Sequence, residues 1–399
     1  MLSTENEARG FMEYPLTCDT WGSEELEAIQ AVVASGRFTM GPRVKEFEEE
    51  FAAKFGSRYG VMVHSGSSAS LVSIAALSFK KERPLQRGDE VIVPAISWST
   101  TYYPLLQYGL KLRFVDIDPN TMNMDVAQLK AALTPRTRAL VAVSILGNPC
   151  ALDVMRSFCQ QHGLYFFEDN CESMGATLNG KQCGTFGDLA TFSTFYSHHI
   201  STMEGGMILT DDEELYQLCL SLRAHGWTRD LPADNKICSP RDNDFFEAYR
   251  FILPGYNVRP LEMSAAIGSA QLPKLDEMVK IRRQNAQYFQ EYFANDPRFL
   301  IQREHGVSSW FSFTMVIKPG SGLERPKVLA ALKEANIQYR IITGGNFLRH
   351  EVIRYFDYEI VGGATPHADH AHDHGFFIGN FPFQAQERIA HLRDVLAKV

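Results

Sequence analysis

Ser193 closes an apolar run, LATFS, and five residues later the chain carries two adjacent imidazoles, His198 and His199, followed by the glycine pair Gly205–Gly206. Two histidines at such a point could ligate a metal, move protons near neutral pH, or form a hydrated corner. A second constellation lies upstream in LYFFEDNCESMGA, where Glu168, Asp169 and Glu172 follow another apolar run. Carboxylates at the carboxyl end of a strand stand where open α/β sheets bind ligands. Nearly buried there, such a group needs a cationic partner or a proton. The protonated ring nitrogen of pyridoxal 5'-phosphate (PLP) is one such partner; a carboxylate that only caps the next turn is the other reading.

Two further groups could serve the same chemistry. VHSGSSASLVSIAALSF begins at the end of a short apolar run and opens a helix, so Gly66, Ser67 and Ser68 offer N–H groups and hydroxyls to an anion. A capped helix start that binds nothing has the same appearance. Trp98, just past EVIVPAIS, has an aromatic face that could stack on a flat ring or simply fill the core. No GxGxxG opens a βαβ unit, which removes most support for a dinucleotide-dependent dehydrogenase.

The elements that must hold these residues are legible as alternating patterns. Strands are predicted at 59–63, 90–95, 113–117, 139–146, 164–169, 189–193 and 206–210, several of them apolar on nearly every residue, as in strands covered on both faces. The long segments between them favour βαβ crossovers over hairpins. GSEELEAIQAVVASG reads as an amphipathic helix with Leu26, Ile29 and Val33 at helical spacing, Glu24 and Glu25 in the first turn and Gly36 as the stop. From about residue 271 the pattern becomes a smaller α+β unit: a long helix from Leu275, a strand at 310–317, a helix at 326–336, a strand at 337–342 and a last helix from Gln386. The expected organisation is a large α/β domain over 1–270 and a small C-terminal α+β domain over 271–399.

Composition narrows the class. The 399 residues are 45% hydrophobic and 22% charged, which suits a globular protein with a large core. A formal net charge of −8 disfavours nucleic acid and anionic membrane as partners. The seven cysteines include no CxxC pair, and the polar start MLSTENEARG is no signal peptide, so the chain reads as cytoplasmic and reduced. His367, His370 and His374 in HADHAHDHG could share a helix face, which we read as solvated and not as a metal site.

In this order the pieces resemble the DegT/DnrJ/EryC1/StrS sugar aminotransferases, PLP enzymes of fold type I. The resemblance runs from SGRFTMGPRVKEFEEEFA (35–52) through GYNVRPLEMSAAIGSAQL (255–272) and beyond. It implies that Gly66, Ser67 and Ser193 hold the cofactor phosphate, Trp98 stacks on the ring, Asp169 pairs with the ring nitrogen and Glu172 lies near the ring hydroxyl. It further implies that Asn257 reaches the phosphate of a neighbouring subunit, hence a homodimer with shared sites.

The departure is at His198, where ordinary members carry the lysine that binds PLP covalently. An imidazole cannot make that link, so the cofactor, as PLP or its aminated form pyridoxamine 5'-phosphate (PMP), is expected to be held non-covalently, with His198 as a proton-transferring base. The same departure marks a subgroup of sugar 3-dehydratases. EDNCESMGA, RAHGWTRDLP, LPGYNVRPLEM and TGGNFLRH match its GDP-sugar branch, which implies GDP-4-keto-6-deoxy-D-mannose as substrate, L-glutamate as amino donor, and a place in colitose and O-antigen (lipopolysaccharide) synthesis. A CDP-hexulose branch holds an iron–sulfur cluster on close thiolates. Only Cys219 and Cys238 follow His198, and no Cys-x-Cys occurs. A conventional nucleotide-sugar aminotransferase, a CDP- or TDP-hexulose 3-dehydratase and a non-catalytic PLP-binding regulator are the alternatives. Arg229, Arg259 and Arg340 are candidates for the glutamate carboxylates or the diphosphate, and His199 is read as a neighbour set by packing.

Overall fold

The computed structural model describes residues 12–239, 241 and 243–399; the stretch MLSTENEARG lies outside them. Its main sheet is built from β1 (Tyr59–Val63), β2 (Glu90–Pro94), β3 (Lys111–Val115), β4 (Thr137–Val143) and β5 (Tyr165–Asp169). A small hairpin, β6 (Thr177–Leu178) with β7 (Lys181–Gln182), precedes β8 (Leu189–Ser193) and β9 (Gly206–Thr210). The C-terminal part adds β10 (Phe299–Ile301), β11 (Ser312–Ile317), β12 (Tyr339–Arg340), β13 (Tyr358–Ile360) and β14 (Gly375–Gly379). The large sheet runs β1-β9-β8-β5-β4-β2-β3-β13, and the second sheet runs β10-β11-β14-β12.

Every residue of β2, β5, β8 and β9 is buried, which is why their sequences are apolar without alternation. The helix Gly66–Phe79 packs beneath them with Val72, Ile74, Ala75, Ala76 and Leu77 all buried. A side chain such as Phe167, 1% exposed, contributes about 1.5–3 kcal/mol on leaving water.

The crossover expectation fails at one place. β9 runs antiparallel to both β8 and β1, because the chain leaves Ser193 and returns at Gly206, directly opposite it in the register. The intervening loop is laced across by Thr194 N–H to the Gly205 carbonyl (2.9 Å) and Tyr196 N–H to the Met203 carbonyl (3.0 Å). His198 sits on this excursion. Gly206 lets it close: a Cβ there would collide with the Ser65 carbonyl and lie 2.7 Å from the Gly66 nitrogen.

The helix Ser23–Ser35 starts and stops as expected, with Gly36 left-handed at φ 69°. Its buried face is not the expected one. Leu26 and Val33 are 54% and 55% exposed, whereas Glu25 is fully buried. Glu25 tolerates burial because it accepts from Lys274 Nζ, Gln271 Nε2 and the Gly22 N–H, each at 2.7 Å.

The antiparallel second sheet carries its own core, in which Phe289 of the helix Leu275–Phe293 stacks on Phe313 at 4.3 Å. The strand expected over 337–342 shortens to Tyr339–Arg340. The chain then turns back to the large sheet: Phe347 N–H donates to the Ala95 carbonyl at 2.9 Å and β13 adds to β3 in parallel. That return brings residues 342–346 to the carboxyl end of β2. In the helix Pro366–His374, His370 Nε2 bonds the Ile317 carbonyl at 2.9 Å, and no group of three or more His, Cys, Asp or Glu suited to a metal occurs among the described residues. No described helix is long and apolar enough to cross a membrane.

Candidate active site

At the carboxyl ends of β4, β5 and β8 the chain encloses a cavity of about 400 Å³. Gly66, Ser67, Trp98, Asp169, Glu172, Ser193 and His198 all line it, so residues spread over more than a hundred positions converge as expected. His199, Asn257, Arg229, Arg259 and Arg340 do not.

One side of the cavity is the N-terminus of the helix Gly66–Phe79. Ser65 caps it, accepting from the Ser68 N–H at 3.1 Å. Ser68 is thereby turned inward, its hydroxyl 3.0 Å from His64 Nδ1, and is not available to an anion. Ser67 Oγ faces the cavity and pairs with Thr100 Oγ1 at 2.8 Å. Gly66 is required by close packing: a Cβ would stand 2.8 Å from Ser193 Cβ and 2.9 Å from Cys171 Sγ. Trp98 precedes the helix Ser99–Gln107 and is 59% exposed, so it is a rim residue and not a core tryptophan.

Strand alternation separates the two carboxylates of β5. Glu168 turns away and accepts from the N–H groups of Gly184, Phe186 and Gly187 at 2.8, 2.6 and 2.5 Å, with burial raising its pKa to about 6. It organises the 184–187 turn. Asp169 turns toward the cavity, 7% exposed, accepting from Thr101 Oγ1 at 2.6 Å and the Cys171 N–H at 3.2 Å. No lysine or arginine lines this cavity among the described residues. Asp169 is therefore a buried carboxyl group with no cationic side chain of this chain on its cavity, suited to a cation that a ligand brings.

Glu172 lies beside it. Burial, reinforced by the neighbouring Asp169 carboxylate, lifts its pKa to about 7. Its Oε2 accepts from the Leu146 N–H at 2.9 Å and from Thr343 Oγ1 at 3.1 Å.

The His198 ring is wedged between Phe195 and Phe311, with centroids 5.8 and 5.2 Å away. Nδ1 is buried without a hydrogen-bond partner among the described residues, which leaves Nε2 on the cavity side. Burial, aided by the Arg282 guanidinium, lowers its pKa to about 4, so the imidazole is unprotonated across the neutral range. His199 is buried with its ring centroid 5.4 Å from that of Phe311, and burial pushes its pKa well below the ordinary value.

Asn257 is exposed away from the cavity, its Oδ1 accepting from Arg259 Nε at 3.1 Å. Arg229 lies over the Trp227 ring at 5.4 Å, and Arg340 Nη1 donates to the Tyr339 carbonyl at 2.8 Å. Sequence reading missed Thr101, Leu146, Phe311 and Thr343. Thr343 had a faint signal in the glycine pair that follows it in TGGNFLRH; the others had none.

The sequence pattern of the DegT/DnrJ/EryC1/StrS aminotransferase family matches residues 19–397. The chain belongs to this family. It is 52% identical over 389 residues to the GDP-4-keto-6-deoxy-D-mannose 3-dehydratase of Yersinia pseudotuberculosis, covering 97% of this chain and 99% of the relative. The solved Escherichia coli GDP-4-keto-6-deoxy-D-mannose-3-dehydratase with bound hydrated PLP superposes with a TM-score of 0.95 at 51% identity, over 97% of this chain and 100% of that one. A GDP-4-keto-6-deoxymannose-3-dehydratase structure with a trapped PLP–glutamate geminal diamine has a TM-score of 0.94 at 51% identity, over 96% and 100% of the two chains.

The cavity residues fit PLP on their own chemistry. A buried acceptor without a cation suits a protonated ring nitrogen, a helix N-terminus whose Ser67 hydroxyl faces the cavity suits a phosphate, and an exposed indole flanks the space between. Among the described residues no lysine lines the cavity to bind the cofactor covalently.

Proposed function

We propose that the chain is a PLP-dependent GDP-4-keto-6-deoxy-D-mannose 3-dehydratase that uses L-glutamate as amino donor. The observation that carries the reading is His198 on the wall of the same cavity as Asp169 and Ser193, where a transaminating relative needs a lysine. The relatives' activity at 51–52% identity over nearly the whole chain supports the same substrate.

PLP, once it carries the amino group of glutamate, supplies an amine for the keto sugar and an electron store in its ring. The chain's residues bind and move protons around it. Gly66, Ser67 and Ser193 bind the phosphate, Trp98 covers one ring face, and Asp169 keeps the ring nitrogen protonated. His198 Nε2 removes a proton and, as imidazolium, returns it to the departing 3-hydroxyl, which leaves as water. The sugar is reduced at C3 by two electrons, and glutamate is oxidised to 2-oxoglutarate with release of ammonia. The product is GDP-4-keto-3,6-dideoxy-D-mannose, placing the enzyme in colitose synthesis for O-antigen, in the cytoplasm.

The active unit is a homodimer. Three carboxylates, Asp169, Glu172 and Glu204, and no cation line the cavity of the single chain, so an anionic cofactor calls for further donors; exposed Asn257 of a second copy supplies one. Exposed Leu26 and Val33 and the exposed aromatic rings of Phe245, Phe246 and Phe251 suit that contact. The second sheet and its core support a small C-terminal unit after residue 270, to which Tyr14 also contributes, while β13 returns to the large sheet.

The test incubates the protein with PLP, glutamate and GDP-4-keto-6-deoxy-D-mannose, and weighs the sugar nucleotide by mass spectrometry. A product lighter by one oxygen atom, with 2-oxoglutarate and ammonia, supports the dehydratase. An amino sugar would instead establish an aminotransferase.

A further inference from the structure

Leu146 and Thr343 are both non-glycine residues held in left-handed backbone, at φ 51° and 43°, a conformation that costs about 1–3 kcal/mol each. Leu146 lies in the turn just past β4, and Thr343 arrives on the segment that returns from the second sheet. Both strained residues donate to the same atom, Glu172 Oε2. An sp² carboxyl oxygen has two lone pairs, and these two bonds fill them. The other oxygen, Oε1, has no protein partner among the described residues and belongs to the cavity wall. A proton on this carboxyl therefore resides on Oε1 and points into the cavity.

We propose that Thr343 is a positioning residue: with the Leu146 amide it occupies Oε2 of Glu172, so that Glu172 faces the cofactor ring as a neutral hydrogen-bond donor through Oε1. The consequence for a ring-shaped ligand is a site with one acceptor carboxylate, Asp169, and one donor carboxyl, Glu172. That pair suits a protonated ring nitrogen at one position and an anionic ring oxygen at another. It also makes the donor depend on the C-terminal segment being in place. The inference rests on the PLP reading given above for the identity of the ring.

The charges around Glu172 agree. Asp169 at the end of β5 and Glu204 on the 194–205 loop are the carboxylates on the same cavity, Cys171 is a neutral neighbour, and His198 across the cavity is neutral above its depressed pKa. No described lysine or arginine on this wall holds Glu172 ionised, and burial favours its neutral form.

The test is infrared difference spectroscopy of the cofactor-free protein across pH, with Glu172→Gln identifying the Glu172 carbonyl band. Neither PLP nor sugar is required, so failure here is separate from failure of the dehydratase assay. The expected result is a protonated-carboxyl band in the wild type that titrates near neutral pH and is absent from Glu172→Gln. Thr343→Val keeps the β-branched shape and removes only the donor that favours the carboxylate. It should raise the proton affinity by on the order of tenfold, while Thr343→Ser, which keeps the hydroxyl, stays near wild type. PLP binding, followed through Trp98 fluorescence, should weaken in Thr343→Val and not in Thr343→Ser. A wild type with no such band overturns the proposal even if Thr343→Val does not fold. So does a folded Thr343→Val whose titration and PLP affinity match the wild type.

Discussion

His198 and Glu172 line one cavity, and burial drives their proton affinities apart: the imidazole falls to about 4 and the carboxyl rises to about 7. Between those values both groups are neutral, because the same desolvation penalises a cation on one and an anion on the other. Two titratable groups separated in this way define an acid and a base.

The first prediction is the pH profile. His198 is a free base above about 4, and Glu172 keeps its proton below about 7. The profile of kcat/KM should be bell-shaped, with limbs near those values, since kcat/KM reports the free enzyme. Glu172→Gln cannot ionise and should lose the alkaline limb while keeping the acid one. An alkaline limb that persists in Glu172→Gln assigns it to another group.

The second prediction concerns His198→Asn. Removing a general base costs on the order of 10²–10⁴ in rate, and asparagine keeps a small polar side chain beside Phe195 and Phe311. PLP affinity should stay within a few-fold, because His198 makes none of the phosphate or ring-nitrogen contacts assigned to the cofactor. Turnover of the sugar nucleotide measured beside PLP binding tests both halves; turnover near wild type removes His198 as the base.

The site was partly legible because its chemistry recurs in local patterns. Asp169 and Ser193 close apolar strands, and Gly66 opens a helix, so type and position coincide in the sequence. His198 was visible as a departure from the family's lysine. Thr343 and Phe311 were hidden because they arrive from the C-terminal part, and no spacing records that meeting. Charge burial misled in the opposite sense. The helix Ser23–Ser35 looked as if it buried Leu26 and Val33, but Lys274 and Gln271, some 250 positions away, make Glu25 the buried residue. The sheet was legible strand by strand and not in direction: β9 is antiparallel because the short 194–205 loop that carries His198 returns directly beside the strand it left.

A third prediction follows from the environment of Asp169. Thr101 Oγ1 donates to it at 2.6 Å, and no lysine or arginine lines its cavity among the described residues, which suits a cation that the ligand brings. Asp169→Ala should weaken PLP binding by about 1.5–3 kcal/mol, the worth of a charge-assisted hydrogen bond, or on the order of 10- to 100-fold. Activity at saturating PLP should fall as well, since the ring nitrogen loses the group that keeps it protonated. Thr101→Val leaves the carboxylate in place and should cost less in both. Equal PLP affinity in Asp169→Ala and wild type, by fluorescence titration, would refute the ring-nitrogen role.

The last prediction uses the tightest packing in the site. A methyl at Gly66 would meet Ser193 Cβ at 2.8 Å and Cys171 Sγ at 2.9 Å, and both neighbours are held by their own backbones. Overpacking of this kind costs about 1–3 kcal/mol, while alanine in place of glycine in a helix returns about 1 kcal/mol. The fold should therefore survive Gly66→Ala with a melting temperature only a few degrees lower. The displacement falls on Ser193 and on the helix N-terminus, the two sides of the proposed phosphate site, so PLP affinity should drop by on the order of tenfold. Inorganic phosphate, competing with PLP, should lose affinity in the same proportion if the damage is confined to the phosphate site. An undiminished affinity for both would mean that the phosphate is bound elsewhere.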